Sequence, residues 1–209
     1  MKLLRRFLVL SLLAFIIGSG YAPWVYRAPV ALQLTPPGLA EYVKFLHEVR
    51  FGQLPLERLY FLLPLAVAAF STSLIVVNRR LALHASMVTL FRLSVLPMAL
   101  SLLSPIWAPA RLMNDEFRLQ TIVAGAAIGV AIIAPLFKKI PLSLILFVVS
   151  LTSIGSVYLA LDQFNRANAA ISATYAGPIL LGWGGWLAAA GAAGITISAL
   201  WIWLVPKTQ

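Results

Sequence analysis

Polar side chains almost vanish from six long stretches of this chain, and the gaps between them hold nearly every charge. About 20 helical residues cross a hydrocarbon core of roughly 30 Å. On that measure the pattern predicts spans over about 7–24, 59–77, 85–106, 121–137, 141–161 and 181–205. Helices are the spanning form, because lipid leaves backbone groups no partner but their own segment. The dyad alternation of a membrane β-barrel does not occur. The boundaries carry local signals. Lys2, Arg5 and Arg6 precede the first span, Asn78-Arg79-Arg80 stops the second and Lys138-Lys139 ends the fourth. Pro141 suits a first helical position, Pro97 and Pro105 should bend or end the third span, and Pro206-Lys207 follows the sixth.

The first gap, about 25–58, has structure of its own. Thr35-Pro36-Pro37-Gly38 reads as a turn and helix start. From there Leu39, Tyr42, Val43, Leu46 and Val49 recur at helical spacing, with Glu41, Lys44, His47, Glu48 and Arg50 on the other face and Gly52 as a stop. This predicts an amphipathic helix over about 38–51 that caps the bundle or lies in the headgroup plane. Its five apolar residues are candidate partner-binding groups. Lys44 stands three residues after Glu41 and four before Glu48, so two intrahelical ion pairs are expected. The fold class is therefore an all-α integral membrane protein: one domain over 1–209, six transmembrane helices, and an extracytoplasmic amphipathic helix in the first outer loop.

Composition agrees with this frame. Apolar residues make up 61% and charged residues 11%, with a mean hydropathy of +0.94, far outside the soluble range. The charge adds orientation. All six acids (Glu41, Glu48, Glu57, Asp115, Glu116, Asp162) fall in alternate gaps, and the other gaps hold only Lys and Arg. By the positive-inside rule the acid-free gaps are cytoplasmic, which puts both termini inside a plasma membrane of bacterial inner-membrane type. The formal net charge of +10 is spread in ones and twos, with no basic block to grip a phosphate backbone, so nucleic acid is not an expected partner. A short apolar run followed by Gly18-Ser19-Gly20-Tyr21-Ala22 also has the outline of a secretory signal peptide. Apolar sequence continues past it through Trp24, and Pro23 blocks cleavage after Ala22, so an uncleaved anchor is expected. The cytoplasmic turns are minimal and leave no room for a nucleotide site.

Candidate chemistry is sparse. Arg92 is the one charge inside a span, and such residues are functional hypotheses by default. Near a helix end it can snorkel, and with His84, eight residues earlier, it can share a face toward a lipid headgroup or an anionic solute. Gly125 and Gly129 form a GxxxG pair in the fourth span. Gly185, Ala189 and Ala193, with Gly184, Ala188 and Ala192 beside them, form small-residue ladders in the sixth, and both predict close helix packing. Ser143, Ser150, Ser153 and Ser156 are candidates for bonds across helices, and Trp183, Trp186, Trp201 and Trp203 for interfacial belts. Zero cysteines exclude disulfides and thiolate sites. His47 and Glu48 are adjacent, so they diverge by about 100° on a helix and do not chelate. No metal or cofactor is expected, and no mid-span Asp, Glu or Lys offers ion coupling. The expected function is that of a non-catalytic subunit of a membrane complex, held to other subunits or to copies of itself within the bilayer. The alternatives are a small permease for a lipid-like or anionic solute, and an exoplasmic lipid-processing enzyme.

Overall fold

The computed structural model describes residues 2–27, 32–103 and 108–204, with Pro109 and Arg111 as backbone only. The expectations for Pro105, Pro206 and Lys207 lie outside the described residues. Nine α-helices and one two-stranded hairpin are described. They are α1 Lys2–Ile16, extended by a π-helical turn Ile17–Tyr21; β1 Val25–Arg27 paired antiparallel with β2 Leu32–Leu34; α2 Pro36–Tyr42; α3 His47–Arg50; α4 Leu63–Val76; α5 Ala85–Ser101; α6 Pro109–Leu112; α7 Asp115–Ile133; α8 Leu142–Thr174; and α9 Trp183–Leu204. Five helical stretches are long and apolar enough to cross a membrane: Lys2–Tyr21, Arg58–Val76, Asp115–Phe137, Leu142–Thr174 and Trp183–Leu204. The third predicted span is shorter. α5 has 17 residues, about 25 Å at 1.5 Å per residue. Pro97 lies inside it without ending it.

The bundle has two chemically distinct ends. At one, Arg5 Nη1 donates to the Ala82 carbonyl (3.0 Å), Asn78 Nδ2 to the Ile140 carbonyl (2.8 Å) and the Arg79 amide to the Lys138 carbonyl (3.4 Å). The leader and both basic doublets thus share one end, as their sorting along the sequence implied. The acids gather at the other. On α9, exposed Trp183 and Trp186 at one end and Trp203 at the other are about 20 residues and 30 Å apart, the spacing of two interfacial belts.

α1, α4, α8 and α9 form the tight core, with α1 against α9 the most intimate pair, while α5 and α7 pack on α4 and on each other. The α1–α9 approach is set by glycine. A Cβ on Gly18 would lie 2.7 Å from Ala188 Cα, and one on Gly191 2.6 Å from Phe15 Cα, so these backbones touch without intervening side chains. Just beyond, the Gly182 and Gly184 amides donate to the carbonyls of Trp24 (2.6 Å) and Pro23 (3.0 Å). Trp24 is fully buried, and its Nε1 donates to the Gly18 carbonyl at 2.8 Å. That carbonyl needs a side-chain donor: the Ala22 amide goes to Ile17, and Pro23 has no N–H to give.

Two elements differ from the pattern. The predicted loop helix over 38–51 is broken: α2 begins at Pro36 with Thr35 as its cap, a 3₁₀ turn covers Val43–Phe45, Leu46 is extended, and α3 follows. And α8 does not stop near Leu161 but runs 33 residues to Thr174, about 50 Å, so roughly 20 Å exceeds a hydrocarbon core. Phe164, Ala167, Ala170 and Ile171 are buried along that extension, at helical spacing. Loss of hydropathy there marks the end of the lipid-facing stretch, not of the helix.

Candidate functional site

The five apolar residues of the outer loop do not form a free surface. Leu39, Val43 and Leu46 are buried at 0%, 1% and 3% exposure, and Tyr42 and Val49 pack against the same core. Their apolar face packs against the chain's own bundle. Tyr42 stacks on Tyr175 just past the end of α8 (centroids 6.2 Å). Burial, with the Tyr175 phenol beside it, pushes the Tyr42 phenol up to about 12. Because the folded state holds this proton above the unfolded value near 10, the folded state is favoured in full below pH 10 and loses that contribution as pH rises from 10 through 12. A melting series across that range is expected to show the decline, and Tyr42→Phe to reduce it.

Lys44 and Arg58 tie the loop to α7. Lys44 pairs with Glu41 (2.6 Å) and with Glu116 (2.9 Å), not with Glu48, because the break at Leu46 ends the helix before the fourth residue on. Arg58, whose side chain is 14% exposed, pairs with Glu41 at 3.2 Å, donates to the Glu116 carbonyl (2.6 Å) and reaches Gln120 (3.4 Å). Both cations lie over the Phe117 ring. The Glu57 amide donates to Gln163 on α8 (2.9 Å). Arg58→Ala should destabilise the chain by about 1–2 kcal/mol, between an exposed and a buried pair, read as a lower melting midpoint in detergent. Of the other acids at this end, Asp162 pairs with Arg166 (2.8 Å), Asp115 with Arg118 (3.8 Å), and Glu57 caps Leu59 (3.3 Å). Each of these contacts is local to its own segment.

At the basic end, Arg92 and His84 have different roles. His84 caps α5, its Nδ1 accepting from the Ser86 amide (3.4 Å), and is exposed. Arg92 turns inward instead of snorkelling: Nη2 donates to the Ala131 carbonyl of α7 at 3.1 Å. In a continuing helix that carbonyl would accept from residue 135, which is Pro135 and has no N–H. Arg92 replaces the missing donor. Its Nε is buried with no partner among the described residues. Arg92 lines a cleft of about 310 Å³ between α5 and α7, walled by Leu93, Leu96, Ile128 and Ile132.

The small-residue faces divide in an unexpected way. In α9 Gly184, Ala188, Gly191 and Gly194 lie against α1 and its π-helical extension; Gly185 is buried with Leu181 nearest, Ala189 is half-buried and Ala193 is exposed. The packing ladder is thus rotated from the one read as Gly185–Ala189–Ala193. In α7 the inward face is Phe117, Gln120, Ala124 and Ala127. Gly125 and Gly129 face away, and a Cβ on either would meet nothing within 4 Å among the described residues. The serines of α8 back-bond to their own helix: Ser150 to Leu146, Ser153 to Ser150 and Ser156 to Ser153. Pro135 and Gln163 were not singled out by sequence, and Gly18 only within a cleavage-like run, since what makes each one matter is a partner on another segment.

Among the described residues no three His, Asp or Glu side chains converge on a point that could hold a metal. Set against protein-family models, curated proteins and solved structures, the chain matches none of the three.

Proposed function

We propose that this chain is a non-catalytic, multi-pass subunit of a plasma-membrane complex, with six spans and both termini cytoplasmic, that holds a partner helix against the outward face of α7. One observation carries the reading. Gly125 and Gly129 present a GxxxG face with no neighbour among the described residues, on the long helix that is least used internally: 22% of its apolar stretch is buried, against 39–67% for the other four. Bare helix backbone exposed to lipid forgoes close van der Waals packing, which a second helix can supply. The acid-free end, with Arg79-Arg80 and Lys138-Lys139 together, supports the orientation.

The test is purification of the full-length tagged chain from native membranes in mild detergent, as wild type and as Gly129→Leu. The reading expects a companion in fixed ratio with the wild type and its loss from a variant that melts normally. Monodisperse wild-type protein with no companion overturns it. The cleft at Arg92 favours a second reading, a small permease for a lipid-like or anionic solute. That reading requires flux in proteoliposomes that stops on Arg92→Gln.

A further inference from the structure

We infer that the α5–α7 cleft is a binding site for one anionic phospholipid, its phosphate on the Arg92 guanidinium and its acyl chains along Leu93, Leu96 and Ile132. The cleft borders the partner face on α7, because Ile132 follows Gly129 by three residues and Gly125 by seven and so lies on the same side of the helix.

Three observations converge on this ligand. First, the charge balance is incomplete. Arg92 lies seven residues into α5, about 10 Å from its start. All six acidic side chains are in the gaps of the opposite end, and Arg92 has no carboxylate partner among the described residues; its one hydrogen bond there is to a backbone carbonyl. A guanidinium in hydrocarbon without a partner charge is costly, and the compensating charge comes from outside the chain. Second, the donor geometry is half used. Nη2 is committed to Ala131, Nε is buried with no partner among the described residues, and the Arg92 side chain lines the cleft. Arg presents five N–H groups and recognises phosphate oxygens with more than one of them. Third, the cleft opens to lipid, not to water. Its rim residues Leu93, Leu96 and Ile132 are 64%, 50% and 67% exposed on helices inside the apolar band. A lipid places its acyl chains along these side chains, whereas a small aqueous anion gains nothing from them. The short α5 helps: about 25 Å of helix under a core of about 30 Å thins the bilayer locally and brings headgroups inward.

The experiment is native mass spectrometry of the full-length protein in detergent, titrated with phosphatidylglycerol and, separately, with phosphatidylcholine. The wild type is expected to retain one phosphatidylglycerol per chain and to prefer it over phosphatidylcholine. Ile132→Trp fills the cleft without touching the Arg92–Ala131 bond, and should weaken that adduct about ten- to a hundredfold, the loss of one or two charge-assisted bonds. Arg92→Gln should do the same. It is measured both alone and with Pro135→Ala, which gives Ala131 a backbone donor and keeps the fold independent of Arg92. Pro135→Ala by itself should keep the lipid or bind it more tightly, an effect that a purely structural Arg92 does not produce. Equal retention of both lipids by the wild type and all variants overturns the site. Displacement of phosphatidylglycerol by millimolar inorganic phosphate overturns the lipid and leaves a free-anion pocket.

Discussion

Gly191→Leu is expected to destabilise the folded bundle strongly, while the same replacement at Gly129 leaves its stability intact. At Gly191 a Cβ would already stand 2.6 Å from Phe15 Cα, and a backbone atom cannot swing aside as a side-chain end can. α1 and α9 must separate, and the loss extends to the hydrogen bonds of Gly182 and Gly184 to Trp24 and Pro23 that lie beyond the same contact. Overpacking of this kind costs about 3 kcal/mol or more, roughly a 10 °C fall in melting midpoint for a chain of this size. A Cβ at Gly129 would meet nothing within 4 Å among the described residues, and a leucine side chain goes into detergent or lipid. Melting curves of the two variants in one detergent check this. Similar losses at both positions would mean that α7 packs through its glycine face after all.

The second large effect is a coupling between two residues on different helices. Arg92→Gln should destabilise the wild type by about 2–3 kcal/mol, because it leaves the Ala131 carbonyl without a donor in a medium that offers none. In a Pro135→Ala background the backbone supplies that donor, and the same substitution should be nearly neutral. A double-mutant cycle would then return a coupling of about 2 kcal/mol. Additive effects would show that Ala131 does not depend on Arg92.

The all-α membrane class and the two charged ends were legible in the sequence, since both follow from threading apolar helices through lipid and need no knowledge of which helix touches which. The cap at Thr35 and the stop at Gly52 were legible because they are local: Gly52 sits at φ 70° just after α3. Which small residues pack was not. Gly18 has the look of a cleavage-site residue until α9 is laid against it, and Gly125 and Gly129 look like a packing motif until α7 is seen to turn Ala124 and Ala127 inward. The extension of α8 was hidden by its polarity, although Asp162 and Arg166 at four-residue spacing and buried Phe164 and Ala167 mark a helix continuing outside lipid. The role of Arg92 was hidden most deeply. It is set by a proline 43 positions later in the chain, whose missing N–H matters only where α5 and α7 meet. In each case a local pattern named the residue type correctly and the tertiary neighbour decided its use.

The partner face on α7 has a direct test, made simple by a chain with no cysteine of its own. Gly129→Cys places a single thiol on the open face, and Leu151→Cys places one on α8, at a residue 60% exposed. Each is treated with a short thiol-directed crosslinker in native membranes. A partner helix at α7 predicts one adduct of defined mass from position 129 and none from position 151. No adduct from position 129, or the same diffuse set from both, would contradict it.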